Sequence, residues 1–177
     1  MTQNNSIAIL FTGIISTPTI TIKSLLHDIE TAFSLKIKST SQDFKFDHSD
    51  YYEKEMGQNL KRIFVSFDSE IDPLEAPQYK LIAQKVETLY QKNNKRTANI
   101  DPGLLSLHNL ILYSTKNYAH RIACIPGIYA DLTYIFANKN IQFLPWTYPD
   151  FKQKLIQDYF LKLRNSLKQN ARGKDWV

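Results

Sequence analysis

HRIACIPGIYADLTYIF, residues 120–136, is the stretch on which the fold turns. Two runs that alternate apolar with polar residues, His120 to Ile125 and Ile128 to Phe136, flank Pro126-Gly127, a dipeptide with turn chemistry. A further run, Ile141 to Leu144, follows Asn138-Lys139-Asn140, so three consecutive antiparallel strands are predicted. If Pro126-Gly127 forms a two-residue loop, Cys124 faces Tyr129, Ile122 faces Asp131 and His120 faces Thr133. One face then carries His120, Ile122, Cys124, Tyr129, Asp131 and Thr133. The other carries Arg121, Ala123, Ile125, Ile128, Ala130 and Leu132 and reads as core.

Working outward, Ile7 to Phe11 with Gly13, Ile14 and Ile15 has the continuous apolar pattern of a central strand buried on both faces. Ile22, Leu25, Leu26, Ile29 and Phe33 recur at helical spacing and predict a helix over about 19–34. Leu35 to Lys38, Phe44 to Phe46 and Ile63 to Phe67 predict strands around a polar connection, DYYEKEMG at residues 50–57. A second helix follows Pro77, with Ile82, Val86, Leu89 and Tyr90 on one face and Asn93-Asn94 at its end. Arg96 to Ile100 predicts a short strand, and Asp101-Pro102-Gly103 has the cap and first-turn chemistry of a helix running to about Leu112. Residues 149–169 predict a terminal helix with Phe151, Leu155, Ile156, Tyr159, Leu163 and Leu167 on one stripe. The whole chain, 1–177, reads as a single α+β domain: a mixed, mostly antiparallel sheet with helices packed on one face, a ferredoxin-like core within it.

Composition narrows the function classes. The 177 residues are 43% apolar and 22% charged, the values of an ordinary globular domain. No stretch approaches the length of a membrane span. MTQNNS lacks the basic region of a secretory leader, and the single cysteine, Cys124, excludes an internal disulfide, so a cytoplasmic location is expected. The net charge of +5 is local: residues 1–150 balance, and the excess comes from Lys152, Lys154, Lys162, Arg164, Lys168, Arg172 and Lys174 against Asp158 and Asp175. One basic terminal helix argues against a nucleic-acid groove.

The segment Ser114-Thr115-Lys116 with His120-Arg121 is the strongest chemical candidate, because hydroxyls, an ammonium, an imidazole and a guanidinium suit a phosphate or carboxylate ligand. Strand alternation sets His120 and Arg121 on opposite faces and His120 diagonal to Asp131, where a carboxylate orients an imidazole acting as general base. His120 and Asp131 are therefore the catalytic candidates. Lys116, Arg121 and Arg62 are candidates to hold an anion; Tyr51, Tyr52 and Glu53 of the polar connection, with Tyr129 on the hairpin's polar face, complete the ligand-binding set. Asp101 is explained by capping, and Trp146 and Tyr148 by a packed aromatic corner before the last helix. The four histidines, His27, His48, His108 and His120, lack metal-ligand spacing.

The ordered segments DYYEKEMG, LKRIFVSF, NIDPG, STKNYAHR, GIYADLTYIF and LPWTYPDF resemble an uncharacterised bacterial family, domain of unknown function 4416, from the first strand to Asp150. Some members of that family carry the label nucleotide-binding; this chain has neither GxxxxGK[ST] nor GxGxxG, and Asn117 stands where the family usually has an acidic residue. The reading that emerges is a small-molecule-binding protein or enzyme acting on a phosphorylated or nucleotide-like ligand. The alternative is a non-catalytic interaction protein that meets a macromolecule through its basic helix or aromatic corner. Cofactor and oligomeric state are left open. Folding without structural metal is a direct consequence of the cysteine and histidine spacing: elemental analysis of the purified protein should find no stoichiometric zinc.

Overall fold

The structure, a computed structural model, describes residues 8–47, 50–137 and 140–173, without the side chains of residues 50, 51 and 171–173. In chain order its elements are β1 (Ile9–Ser16), α1 (Ile22–Phe33), β2 (Ile37–Thr40), β3 (Phe44–Lys45), α2 (Asp50–Met56), β4 (Lys61–Glu70), α3 (Gln78–Leu89), β5 (Gln91–Lys92) and β6 (Lys95–Arg96). Then come β7 (Ala98–Leu105), β8 (Asn109–Ser114), β9 (Arg121–Ile125), β10 (Ile128–Ala137), β11 (Asn140–Phe143), one turn of 3₁₀ helix at Pro149–Lys152, and α4 (Lys154–Gly173).

Among the described residues the main sheet has nine strands, and β7, β1, β4 and β2 lie side by side in that order with antiparallel pairing throughout. With α1 after β1 and α3 after β4, this is the order of a ferredoxin-like split βαβ core. β8, β10, and then β9 and β11 along the outer edge of β10, extend the sheet beyond β7.

Period-two alternation divides the core. Leu10, Ile14, Val65, Phe67 and Ile100 face α1 and α3, where Leu25, Ile29, Phe33, Ala83 and Val86 meet them. Phe11, Phe64, Leu105, Leu112 and Tyr134 face the other way, onto Phe151, Ile156, Phe160 and Leu163. The α+β class is therefore as expected, but helices cover both faces. β1 and β4 carry apolar side chains on each face, so each face requires its own cover.

Of the terminal stripe, Phe151, Ile156, Leu163 and Leu167 are buried as expected. Leu155, expected on the buried stripe, is 39% exposed, whereas Phe160 is fully buried. The 3₁₀ turn breaks the helical periodicity between Phe151 and Lys154. Phe160 lies 4.9 Å from Phe11 and 5.3 Å from Phe64, edge to face with each.

Three further expectations are corrected. DYYEKEMG is the short helix α2 rather than a polar connection. Asn93 and Asn94 do not end α3, which stops at Leu89; with φ of 52° and 60° they form the two-residue turn joining β5 to β6. Asp101-Pro102-Gly103 starts no helix and lies inside β7. Gly103 is required there by packing, since a Cβ would stand 2.3 Å from Phe11 Cζ and 2.5 Å from the Ile111 carbonyl oxygen.

At the hairpin, Ile125 pairs with Ile128 as expected, but a one-residue irregularity follows, so Ala123 opposes Tyr129 and Arg121 opposes Asp131. Arg121, assigned to the core face, thus shares the face of Asp131, and Ile122 is 74% exposed. The Asn138-Lys139 turn expected after β10 lies outside the described residues. Because Phe160 closes one whole layer, Phe160→Ala should lower stability by about 3–5 kcal/mol in urea unfolding monitored by circular dichroism.

Candidate functional site

The sheet comes apart between two neighbouring strands, and a cavity lies there. β7 and β8 pair only from Gly103 with Leu112 to Leu105 with Leu110, so residues 98–102 have no strand beside them on that side among the described residues. Two side chains of α3 take the place of the missing strand. Glu87 Oε1 accepts the Ile100 N–H at 2.7 Å, and Lys80 Nζ donates to the Ile100 carbonyl at 2.7 Å. Two residues on, in the same backbone orientation, Pro102 has no N–H to satisfy.

The ammonium of Lys80 also donates to Asp101 Oδ1 at 2.9 Å. Asn99 Nδ2 donates to Asp101 Oδ2 at 2.6 Å, Arg96 Nη1 donates to Asn99 Oδ1 at 3.0 Å, and Arg96 grips Glu55 of α2 through both carboxylate oxygens at 2.7 and 2.6 Å. Burial alone would raise the Asp101 pKa, but the charges of Lys80 and Arg62, with hydrogen bonds from Lys80 and Asn99, hold it below the ordinary carboxylate value. Burial works against the Lys80 ammonium, yet Asp101 and Glu87 outweigh it and keep its pKa above the usual lysine value.

A second wall is built on Arg121. Its Nε donates to Asp131 Oδ2 at 2.8 Å, Nη1 to Ser114 Oγ at 3.0 Å and the Lys116 carbonyl at 2.9 Å, and Nη2 to the Tyr148 hydroxyl at 2.7 Å. Every guanidinium nitrogen is used. His120 Nε2 approaches the same Asp131 oxygen at 3.3 Å, and the imidazole is sandwiched between Tyr118 at 6.1 Å and Trp146 at 4.8 Å. His120 precedes β9, so the alternation that separated it from Arg121 does not apply, and one carboxylate serves both.

Arg62 of β4 is different. Its side chain is 4% exposed, and Nε lies 3.2 Å from Asp150 Oδ2 without hydrogen-bond alignment. Neither Nε nor Nη1 makes a hydrogen bond. The guanidinium lies 4.6 Å from the Phe64 ring centre and passes over Gly13, where a Cβ would stand 2.8 Å from Nη2. Gly13 is what admits the cation to this spot.

The cavity enclosed by these walls measures about 110 Å³. Arg62, Asp101, Asp131, Lys116, Arg121, Tyr52 and Tyr148 line it, with Ile15, Phe46, Leu112 and Phe151 as its apolar part. Burial foremost, then the nearby Asp101 charge, pushes the Tyr52 phenol well above its ordinary pKa; burial does the same to Tyr148 despite Arg121. Both hydroxyls stay protonated.

Of the residues singled out in the sequence, Arg62, Lys116, Arg121, Asp131 and Tyr52 converge on this cavity. His120, Tyr129 and Glu53 do not line it, and the Tyr51 side chain lies outside the described residues. Lys80, Arg96, Asn99, Asp101, Tyr148 and Asp150 were not foreseen in the site. A lysine within the otherwise amphipathic pattern of α3 and an Asp-Pro inside an apolar run were the signals available.

The chain belongs to the family described as Domain of unknown function (DUF4416), whose profile matches residues 6–167. No curated protein and no solved structure shows a significant match to it. Among the described residues, no helix is long and apolar enough to cross a membrane, and no cluster of three metal-ligating side chains occurs.

Because Asp101 has a depressed pKa in the folded state, its contribution to stability is complete above the unfolded value of about 3.9 and is lost as the pH falls through the lower folded value. Urea midpoints measured across pH 2–7 should therefore fall more steeply below about pH 4 in the native protein than in Asp101→Asn.

Proposed function

We propose that the protein binds a small anionic ligand, phosphorylated or carboxylated, in the cavity between β7 and β8, with Arg62 as its anchor. The observation that carries this reading is the Arg62 guanidinium, buried and with two nitrogens lacking hydrogen-bond partners. A buried donor left unmatched costs about 1–3 kcal/mol, more when charged, and Arg62 lines the cavity, where an oxyanion would meet its guanidinium. Lys116 adds a second cation on the exposed side.

Size limits what is enclosed. A dry cavity of roughly 150 Å³ holds a benzene ring, so about 110 Å³ takes an anionic headgroup and little else. A sugar phosphate or nucleotide would leave its remainder outside, past exposed Thr115, Lys116 and Tyr148. His120 lies outside the lining and supports the wall through Asp131 and its aromatic stack; this reading gives it no direct contact with the ligand.

The interaction-protein alternative draws less support. Trp146 donates its N–H to the Leu132 carbonyl at 2.8 Å, Tyr148 receives Arg121, and Arg164 of α4 donates to the Leu107 carbonyl at 2.7 Å. The aromatic corner and part of the basic helix are thus engaged within the fold.

A thermal-shift screen against inorganic phosphate, sugar phosphates, nucleotides and short RNA tests the proposal. A ligand at a hundredfold its Kd adds about 2.7 kcal/mol, a rise of roughly 5–10 °C for a domain of this size. Phosphate-bearing small molecules should produce it in the native protein and in His120→Ala. The double variant Arg62→Met, Asp150→Asn, which removes the anchor without stranding its carboxylate, should fold and show no rise. A rise with RNA alone would overturn the proposal.

A further inference from the structure

Building on the anion-binding reading above, we infer that Asp101 makes the cavity selective for an oxyanion that also donates a hydrogen bond, hydrogen phosphate or a short hydroxy acid, over one that only accepts. The placement comes from the register. Gly13 pairs directly with Asp101 across β1 and β7, and Arg62 Nη2 lies 2.8 Å from the point a Cβ on Gly13 would occupy. Side chains directly opposite on neighbouring strands start about 4.5–5.5 Å apart. A guanidinium with unmatched donors and a carboxylate thus share one short stretch of the same wall.

The carboxylate keeps acceptor capacity. Asp101 Oδ1 takes one hydrogen bond from Lys80 and Oδ2 one from Asn99, and each oxygen has a second lone pair. Asp131, which also lines the cavity, takes its hydrogen bonds from Arg121 and His120 on Oδ2 and is paired with Arg121, and Asp150 lies against Arg62. Asp101 is the carboxylate set directly across from Gly13, over which Arg62 passes. The charges of Lys80 and Arg62 keep Asp101 ionised, so it accepts and does not donate.

A fully deprotonated oxyanion drawn to Arg62 meets Asp101 as a like charge. An oxyanion that retains a hydroxyl can turn it toward Asp101 and convert that repulsion into a hydrogen bond. Hydrogen phosphate and sulfate have the same shape and differ in this proton; glycolate and acetate make the corresponding pair among carboxylates. A site whose buried polar group is left unpaired by an analogue rejects that analogue strongly.

The experiment is isothermal titration at pH 7 of the full chain with sodium phosphate, sulfate, glycolate and acetate at matched ionic strength. Phosphate should bind at least about tenfold more tightly than sulfate, or glycolate than acetate, the difference of roughly one hydrogen bond. Which pair separates identifies the source of the donor. In Asp101→Asn, whose amide can donate to the anion, the ratio should collapse toward one while sulfate and acetate gain. The native ratios need no variant, so they decide even if Asp101→Asn does not fold. Equal binding within both pairs overturns the selectivity and leaves the anion-binding reading standing; no binding of any of the four overturns both. A folded Asp101→Asn that keeps the native preference shows that another group discriminates.

Discussion

Everything in the candidate site depends on the backbone of Ile100. Its N–H and C=O are buried and face the gap where β8 has turned away from β7, and buried peptide groups must find partners. Glu87 and Lys80 supply them, which brings an ammonium into the plane of a sheet. That cation needs a carboxylate close by, and Asp101 provides it; Asp101 in turn is steadied by Asn99, and Asn99 by Arg96, whose other partner is Glu55 of α2. One break in a hydrogen-bonded ladder thus ties α2 and α3 to one rim of the cavity. Truncating any member would leave a charge or a peptide group stranded, the costly case for buried polar networks.

The opposite rim is organised by one cross-strand pair. The slip after Ile128 sets Arg121 against Asp131, and the guanidinium then gathers three separate segments: Ser114 at the end of β8, the Lys116 carbonyl in the following loop, and Tyr148 before the terminal helix. With every nitrogen hydrogen-bonded, Arg121 is a structural cation that fixes the wall. Arg62, equally buried, has unmatched donors and an aromatic ring beneath it. The contrast between two buried arginines in one cavity is between a cation held by hydrogen bonds and one that lies beside a carboxylate without them, and holding a charge out of water without hydrogen bonds stabilises nothing by itself. Behind them, the rings of Phe11, Phe64, Tyr134, Phe151 and Phe160 form the layer that carries Arg62, and the Tyr134 hydroxyl donates to the Phe151 carbonyl at the base of the 3₁₀ turn.

Much was legible in the sequence by itself. The apolar run through Leu10 and Ile14, the helical spacing of Leu25, Ile29 and Phe33 and the hairpin at Pro126-Gly127 follow from local pattern, since periods of two and 3.6 report burial directly, and the family follows from the resemblance of its ordered segments. Asp131, Arg121, Lys116, Arg62 and Tyr52 were also within reach, as polar groups in places that composition does not explain. The tertiary structure alone decided the rest. Asp101-Pro102-Gly103 has the local chemistry of a helix start, but a salt-bridged carboxylate, a proline whose missing N–H faces a gap and a glycine pressed on Phe11 all favour a strand, and none of those partners is near in sequence. The hairpin register turned on a one-residue slip that alternation cannot register, and that slip moved Arg121 to the face of Asp131. Which arginine is satisfied and which is not depends on whether Asp150 and Phe64 meet it in space. That is a property of packing across strands, and no spacing along the chain encodes it.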